Sequence, residues 1–186
     1  MATVSSSTTR DRILDALQDV LIEGGTSAAT LESVAAAAGV SKGGLLYHFP
    51  SKAAMMIGLV RRMSDRAEEE FRECVAQPGG VVRACLRTSL PGSSEEAALY
   101  WSVIASLRSK EDLPDEARDL IHNLFAQWST LLREEIDDPV LAETIRLVGD
   151  GLYLTAIAGL PQPDPEVIEQ MIERLVAQAD AARSVS

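Results

Sequence analysis

Apolar residues recur along the chain at helical spacing, in segments separated by Gly, Pro and small polar residues. Ile13, Leu14, Leu17 and Leu21 form the first stripe. They predict a helix from about Arg10 to Glu23, capped by Thr8 or Thr9 and ended by Gly24-Gly25. A short second helix follows Thr30, with Leu31, Val34, Ala35 and Ala38 apolar, and stops at Gly39. Ser41 caps a third helix starting at Lys42. Pro50 breaks it, and Ser51 caps a long fourth helix with Met55, Met56, Leu59, Val60 and Met63 on one side. Beyond Pro78-Gly79-Gly80 the same logic predicts five more helices: about Val81 to Leu90, one opening at Ser94, one at Pro114-Asp115, one from Asp138-Pro139 to Gly159, and one at Asp164-Pro165. No segment reads convincingly as a strand. The expected fold is all-α, with about nine helices.

Composition agrees: alanine and leucine are abundant and β-branched residues sparse, in a chain 46% hydrophobic and 24% charged. The opening MATVSSSTT is polar and lacks the apolar stretch of a signal peptide, so residues 1–8 read as a disordered arm. The most apolar run, Leu147 to Leu160, is shorter than the roughly 18 residues of a membrane span and carries Asp150, so no membrane partner is expected. Cys74 and Cys85 are too few for a disulfide framework or zinc site, and the chain has two histidines, His48 and His122. His122 reads as a solvated surface residue. No metal, cofactor or catalytic residue is expected; the chain reads as a cytoplasmic non-enzyme with reduced thiols. The net charge of −11 is unevenly spread: residues 1–66 hold seven basic and six acidic side chains, the remaining 120 hold ten and 22. Only the N-terminal part is suited to approach a polyanion.

The segment from Thr30 to Lys52, TLESVAAAAGVSKGGLLYHFPSK, reads as two short helices joined by a tight turn at Gly39. A helix-turn-helix of this kind, about residues 30–49, lays its second helix in the DNA major groove. Alanines 35 to 38 let the two helices cross closely, with Val34, Val40 and Leu45 beneath. The third helix opens with small or polar residues, Ser41, Lys42, Gly43 and Gly44, which let the backbone approach bases and phosphates. Tyr47, His48 and Lys52 then supply hydrogen bonds and charge for phosphates, as does the Thr30 hydroxyl. Plainer readings stand beside these. Thr30, Ser41 and Ser51 are helix caps, Tyr47 and Phe49 are core aromatics, His48 is a surface histidine and Gly43-Gly44 a flexible loop.

The run GVSKGGLLYHFPSK resembles the signature of the TetR/AcrR family of transcriptional regulators, and the resemblance extends over about residues 9 to 69. It implies that Thr30, Ser41, Lys42, Gly43, Gly44, Tyr47, His48 and Lys52 fall on positions that commonly touch DNA. Leu46 departs from the pattern, since many members carry a second tyrosine there. GGLLYHF is itself similar to a subset that includes multidrug-responsive repressors. The resemblance implies a three-helix DNA-binding domain (9–69) followed by a ligand-binding and dimerisation domain (70–186). It implies a repressor that binds a palindromic double-stranded DNA operator as a homodimer. It also implies release by a small lipophilic effector.

In the family's pattern the last two helices pair with their twofold mates. Here the eighth carries Gly149, Gly151, Ala156 and Ala158 among larger apolar residues, and the ninth has an apolar face of Ile168, Met171, Ile172, Leu175 and Ala179. They are candidates for an isologous interface, or they complete a monomeric core. For an effector cavity the candidates are the aromatics Trp101, Phe125, Trp128 and Tyr153, with Met63 as flexible lining. Asp150, the charge inside the Leu147–Leu160 run, suits a cationic effector; the alternative is an ion pair with Arg87 or Arg146, or a surface position at the dimer edge.

Overall fold

Capping side chains fix where most helices begin. The structure, a computed structural model, describes residues 8–109 and 112–183; the arm expected at 1–8 lies outside them except for Thr8. Among the described residues there are nine α-helices and no strand. Helix α1 runs Thr9–Ala28, opened by a capping box in which Thr8 and Asp11 bond each other's backbone amides. Gly25, at φ 67°, interrupts its helical dihedrals where the sequence placed the end, and the chain then makes one further turn. Helix α2 (Leu31–Ala37) starts from a Thr30/Ser33 capping box, and α3 (Lys42–His48) from Ser41. The turn between them uses Gly39 at φ 64°, a left-handed conformation that glycine adopts without strain. Helix α4 spans Lys52–Val75, α5 Gly80–Thr88 and α6 Ser94–Ala105, the last continued by a 3-10 turn at Ser106–Arg108. Helix α7 is Asp115–Glu135, α8 Pro139–Ile157 and α9 Pro165–Arg183. Asp138 accepts from the amides of Val140 and Leu141, and Asp164 from that of Glu166, so the two Asp-Pro starts work as caps.

The chain divides into two compact units. The first takes in Met1–Met63 and Ala98–Leu120. Its core is Ile13, Leu14, Leu17 and Leu21 of α1, Val34 and Leu45 of α2 and α3, and Met55, Met56 and Leu59 of α4, all fully buried. Leu99 and Val103 of α6, Leu113 ahead of α7 and Ala117 of α7 are buried in the same unit. The Ser102 hydroxyl donates to the Leu21 carbonyl at 3.1 Å, and Arg61 pairs with Glu116 at 2.7 Å.

The second unit takes in Ser64–Ala97 and Ile121–Ser186. Helix α5 lies against α8 and α9. Val82, Cys85, Leu86, Leu132, Ile145, Leu152, Ile172 and Val176 form its core. The approach of α5 to α8 is close at Gly149, where a Cβ would stand 2.9 Å from the Ser89 Oγ. Arg83 and Arg87 of α5 reach Glu173 and Glu169 of α9. Helix α8 is rich in apolar residues, yet in the single chain one side of it is bare. Val140, Leu147 and Leu154 are 73%, 56% and 50% exposed, spaced seven residues apart, with exposed Thr144 and Gly151 between them. No helix among the described residues is long and apolar enough to cross a membrane.

Candidate nucleic-acid interface

Helix α3 is anchored on one side and open on the other. Leu45 and Phe49 are buried, and the Arg10 guanidinium covers the Phe49 ring at 5.1 Å. A Cβ on Gly58 of α4 would stand 2.7 Å from Phe49 Cε1, so the absence of a side chain there lets the ring close beneath α3. These contacts turn the other positions outward. Ser41, Lys42, Gly43, Leu46 and Tyr47 are exposed, Tyr47 at 85%. The Ser41 hydroxyl accepts from the Gly44 amide at 3.0 Å, so Ser41 is a cap and exposed at once. Half-buried His48 meets the Tyr47 ring edge-on, with centroids 5.2 Å apart. The core reading of Phe49 is therefore the observed one, whereas Tyr47 projects from the surface.

The remaining candidates already have partners within the chain. The exposed Thr30 hydroxyl accepts from the Ser33 amide at 3.0 Å. Lys42 donates to Glu32 of α2 at 2.6 Å, and that ammonium, with Glu32's own backbone amide, holds the carboxyl below its ordinary range. The Lys52 ammonium donates to the Thr26 carbonyl at 2.7 Å and lies 4.0 Å from Asp112. Glu32 and the exposed Leu46 are surface members of this helix pair that motif reasoning did not single out as contributors.

The candidates for an effector site are dispersed. Met63 and exposed Trp101 belong to the first unit. In the second, Phe125 faces Tyr153 edge-on at 5.8 Å, and burial pushes the Tyr153 hydroxyl's pKa well above the ordinary value. Trp128 meets Phe71 at 3.9 Å and lines a cleft of about 250 Å³ between α4 and α7. Val75, Leu124 and Leu131 supply its apolar wall, and Glu68, Arg72 and Gln127 are polar at its edge. Phe71 was not singled out from sequence because it sits in the charged stretch DRAEEEFREC, where no apolar stripe marks it. Asp150 pairs with Arg146, which also holds Glu143 at 2.6 Å; of the alternatives for Asp150, the Arg146 pair is the one present.

A buried-backed, outward-facing second helix after a left-handed glycine turn is the geometry of a DNA-reading helix-turn-helix. Two family profiles match the chain: "Bacterial regulatory proteins, tetR family" over residues 13–59, and "Tetracyclin repressor-like, C-terminal domain" over residues 79–180. The chain belongs to the TetR family. The HTH-type transcriptional regulator PksA of Bacillus subtilis is 26% identical over 182 residues, covering 91% of this chain and 86% of PksA. A crystal structure of a transcriptional regulator from Rhodococcus sp. RHA1 superposes with a TM-score of 0.69 at 26% identity, covering 92% of this chain and 96% of that one. The multidrug binding protein EbrR complexed with malachite green shares the fold, with a TM-score of 0.70 at 22% identity and coverage of 89% and 96%. Family and relatives are transcriptional regulators, not enzymes, and this TetR-family chain is a DNA-binding regulator of transcription.

Proposed function

We propose that this TetR-family regulator is a homodimeric repressor that grips a palindromic operator through α3 and is released by a small lipophilic effector. The observation that carries the reading is the open face of α3. Exposed Lys42, Gly43 and Tyr47 stand on a helix whose opposite side is fixed by Leu45 and Phe49. Gly43 and Gly44 allow close approach to base edges. Ser41, Lys42, Tyr47 and His48 hold phosphates, with Thr30 and Lys52 at the margin of the contact. In this reading residues 9–69 serve DNA and 70–186 serve effector and dimer.

The bare stripe of α8 supports the dimer. Val140, Leu147 and Leu154 recur every seven residues, as in a helix seam, and a second copy would cover them. The effector reading rests on the aromatic cleft at Phe71 and Trp128 and on the fold shared with EbrR. Phe125 and Tyr153 of the same unit would adjoin the effector. A cationic effector would compete with Arg146 for Asp150.

Selection from a pool of random duplexes tests the proposal. The expected product is an inverted repeat with half-sites about one helical turn apart, ~34–36 Å. Recovery of no sequence above background would sink the operator reading. An enriched site without twofold symmetry would sink the dimer.

A further inference from the structure

Between residues 30 and 49 the sequence holds one Lys or Arg, Lys42, and one Asp or Glu, Glu32. The structure brings these two together across the helix-turn-helix, Nζ to Oε1 at 2.6 Å, with both side chains more than half exposed. Other cations of the first unit are also occupied within it: Lys52 on Thr26 and Asp112, Arg61 on Glu116, Arg62 on Asp15, and Arg10 over Phe49. The charge best placed to meet a phosphate on the α2–α3 face is thus already met by a carboxylate on that face.

We propose that Glu32 is a specificity-determining residue: its carboxylate competes with DNA phosphate for the Lys42 ammonium and so suppresses binding to unselected DNA. Non-specific attachment to a duplex is driven almost wholly by cations displacing counterions from phosphates. A helix-turn-helix whose only Lys or Arg is internally neutralised gains little from that source. A phosphate recruits Lys42 only by separating the pair and leaving Glu32 facing the DNA. An operator complex, fixed in register by base contacts along α3, does not depend on opening the pair, whereas random sequence, held by charge alone, gains only when the pair opens. The carboxylate therefore lowers affinity for unselected DNA by a larger factor than it lowers affinity for the operator. The inference rests on the proposed reading in one respect, that Lys42 meets phosphate.

The test compares wild type, Glu32→Gln, Lys42→Met and the double variant. Each is titrated with a duplex selected from a random pool and with a scrambled duplex of the same composition, across a salt series. Circular dichroism confirms that each variant is folded. Glu32→Gln is expected to bind the scrambled duplex about two- to fivefold more tightly, the scale of a released exposed ion pair. The salt dependence should steepen by about one phosphate equivalent. The selected duplex should gain less, so the ratio of the two affinities falls. In the Lys42→Met background, Glu32→Gln should change nothing of this size. Equal tightening with and without Lys42 would overturn the competition and leave general repulsion. Unchanged affinity in Glu32→Gln would overturn it outright. If Lys42→Met alone leaves both affinities and the salt slope untouched, the phosphate role of Lys42 has failed, and the inference falls with it.

Discussion

Gly58 has no room for a methyl group, because the Phe49 ring edge lies where its Cβ would go, with an Arg10 Nη behind. Replacing a helical glycine by alanine ordinarily gains up to ~1 kcal/mol. Here overpacking costs about 1–3 kcal/mol and wins, since the ring is itself pinned in the core. Gly58→Ala is therefore expected to lower unfolding stability; a more stable variant in urea titration would contradict the packing described. Cys85 is nearly inaccessible, and burial with the nearby Asp150 carboxylate pushes its thiol up to about 12. It should resist iodoacetamide at pH 8 in the folded protein and react in urea, because the thiolate is the nucleophile. Equal rates in both states would refute its burial. At this scale sequence reading captured what is local. Thr30, Ser41 and Ser51 are caps because the accepting oxygen lies within three residues of the amide it serves. It missed Glu32 with Lys42 and Lys52 with Asp112, since those pairs form only after helices pack, across 10 and 60 residues of chain.

Among the helices, α5 is tied to α9 by Arg83 and Glu173 at 2.7 Å, and α8 carries Arg146 between Glu143 and Asp150. Hydrogen bonds from Arg83 and Arg146 lower the carboxyls of Glu173 and Glu143 from an ordinary value of 4.5. A carboxyl depressed in the folded state binds fewer protons than in the unfolded chain. Its stabilising effect is thus complete above pH 4.5 and fades as pH falls through the lowered folded value. The stability difference between wild type and Arg83→Met is expected to shrink as pH drops from 6 to 3; a constant difference would remove Glu173 as its source. The helix boundaries were legible because Gly, Pro and capping residues mark them. The turn of α1 beyond Gly25 and the 3-10 turn after Ala105 were not, since neither has a distinct periodicity. The apolar residues of α8 were visible too. Which side packs on α5 and which stays bare depends on tertiary placement, and Gly149 is the residue that decides it.

At the scale of the molecule, the proposed dimer draws on an exposed apolar seam on α8, and an acidic excess outside residues 1–66 suits a body that stays off DNA. Leu147→Glu places a charge in that seam without disturbing the monomer core, because Leu147 is already 56% exposed. The expected outcome is a folded monomer in sedimentation, with operator binding weakened; an unchanged dimer would place the interface elsewhere. On the proposed reading, the working surface is the outward side of α3. The most direct measurement is the operator affinity of Tyr47→Ala alongside its thermal unfolding. Tyr47 is 85% exposed, so Tm should stay within a degree or two, whereas loss of a phosphate contact should weaken operator binding about tenfold or more. A folded Tyr47→Ala that holds the operator as tightly as wild type would show that this face of α3 does not read DNA.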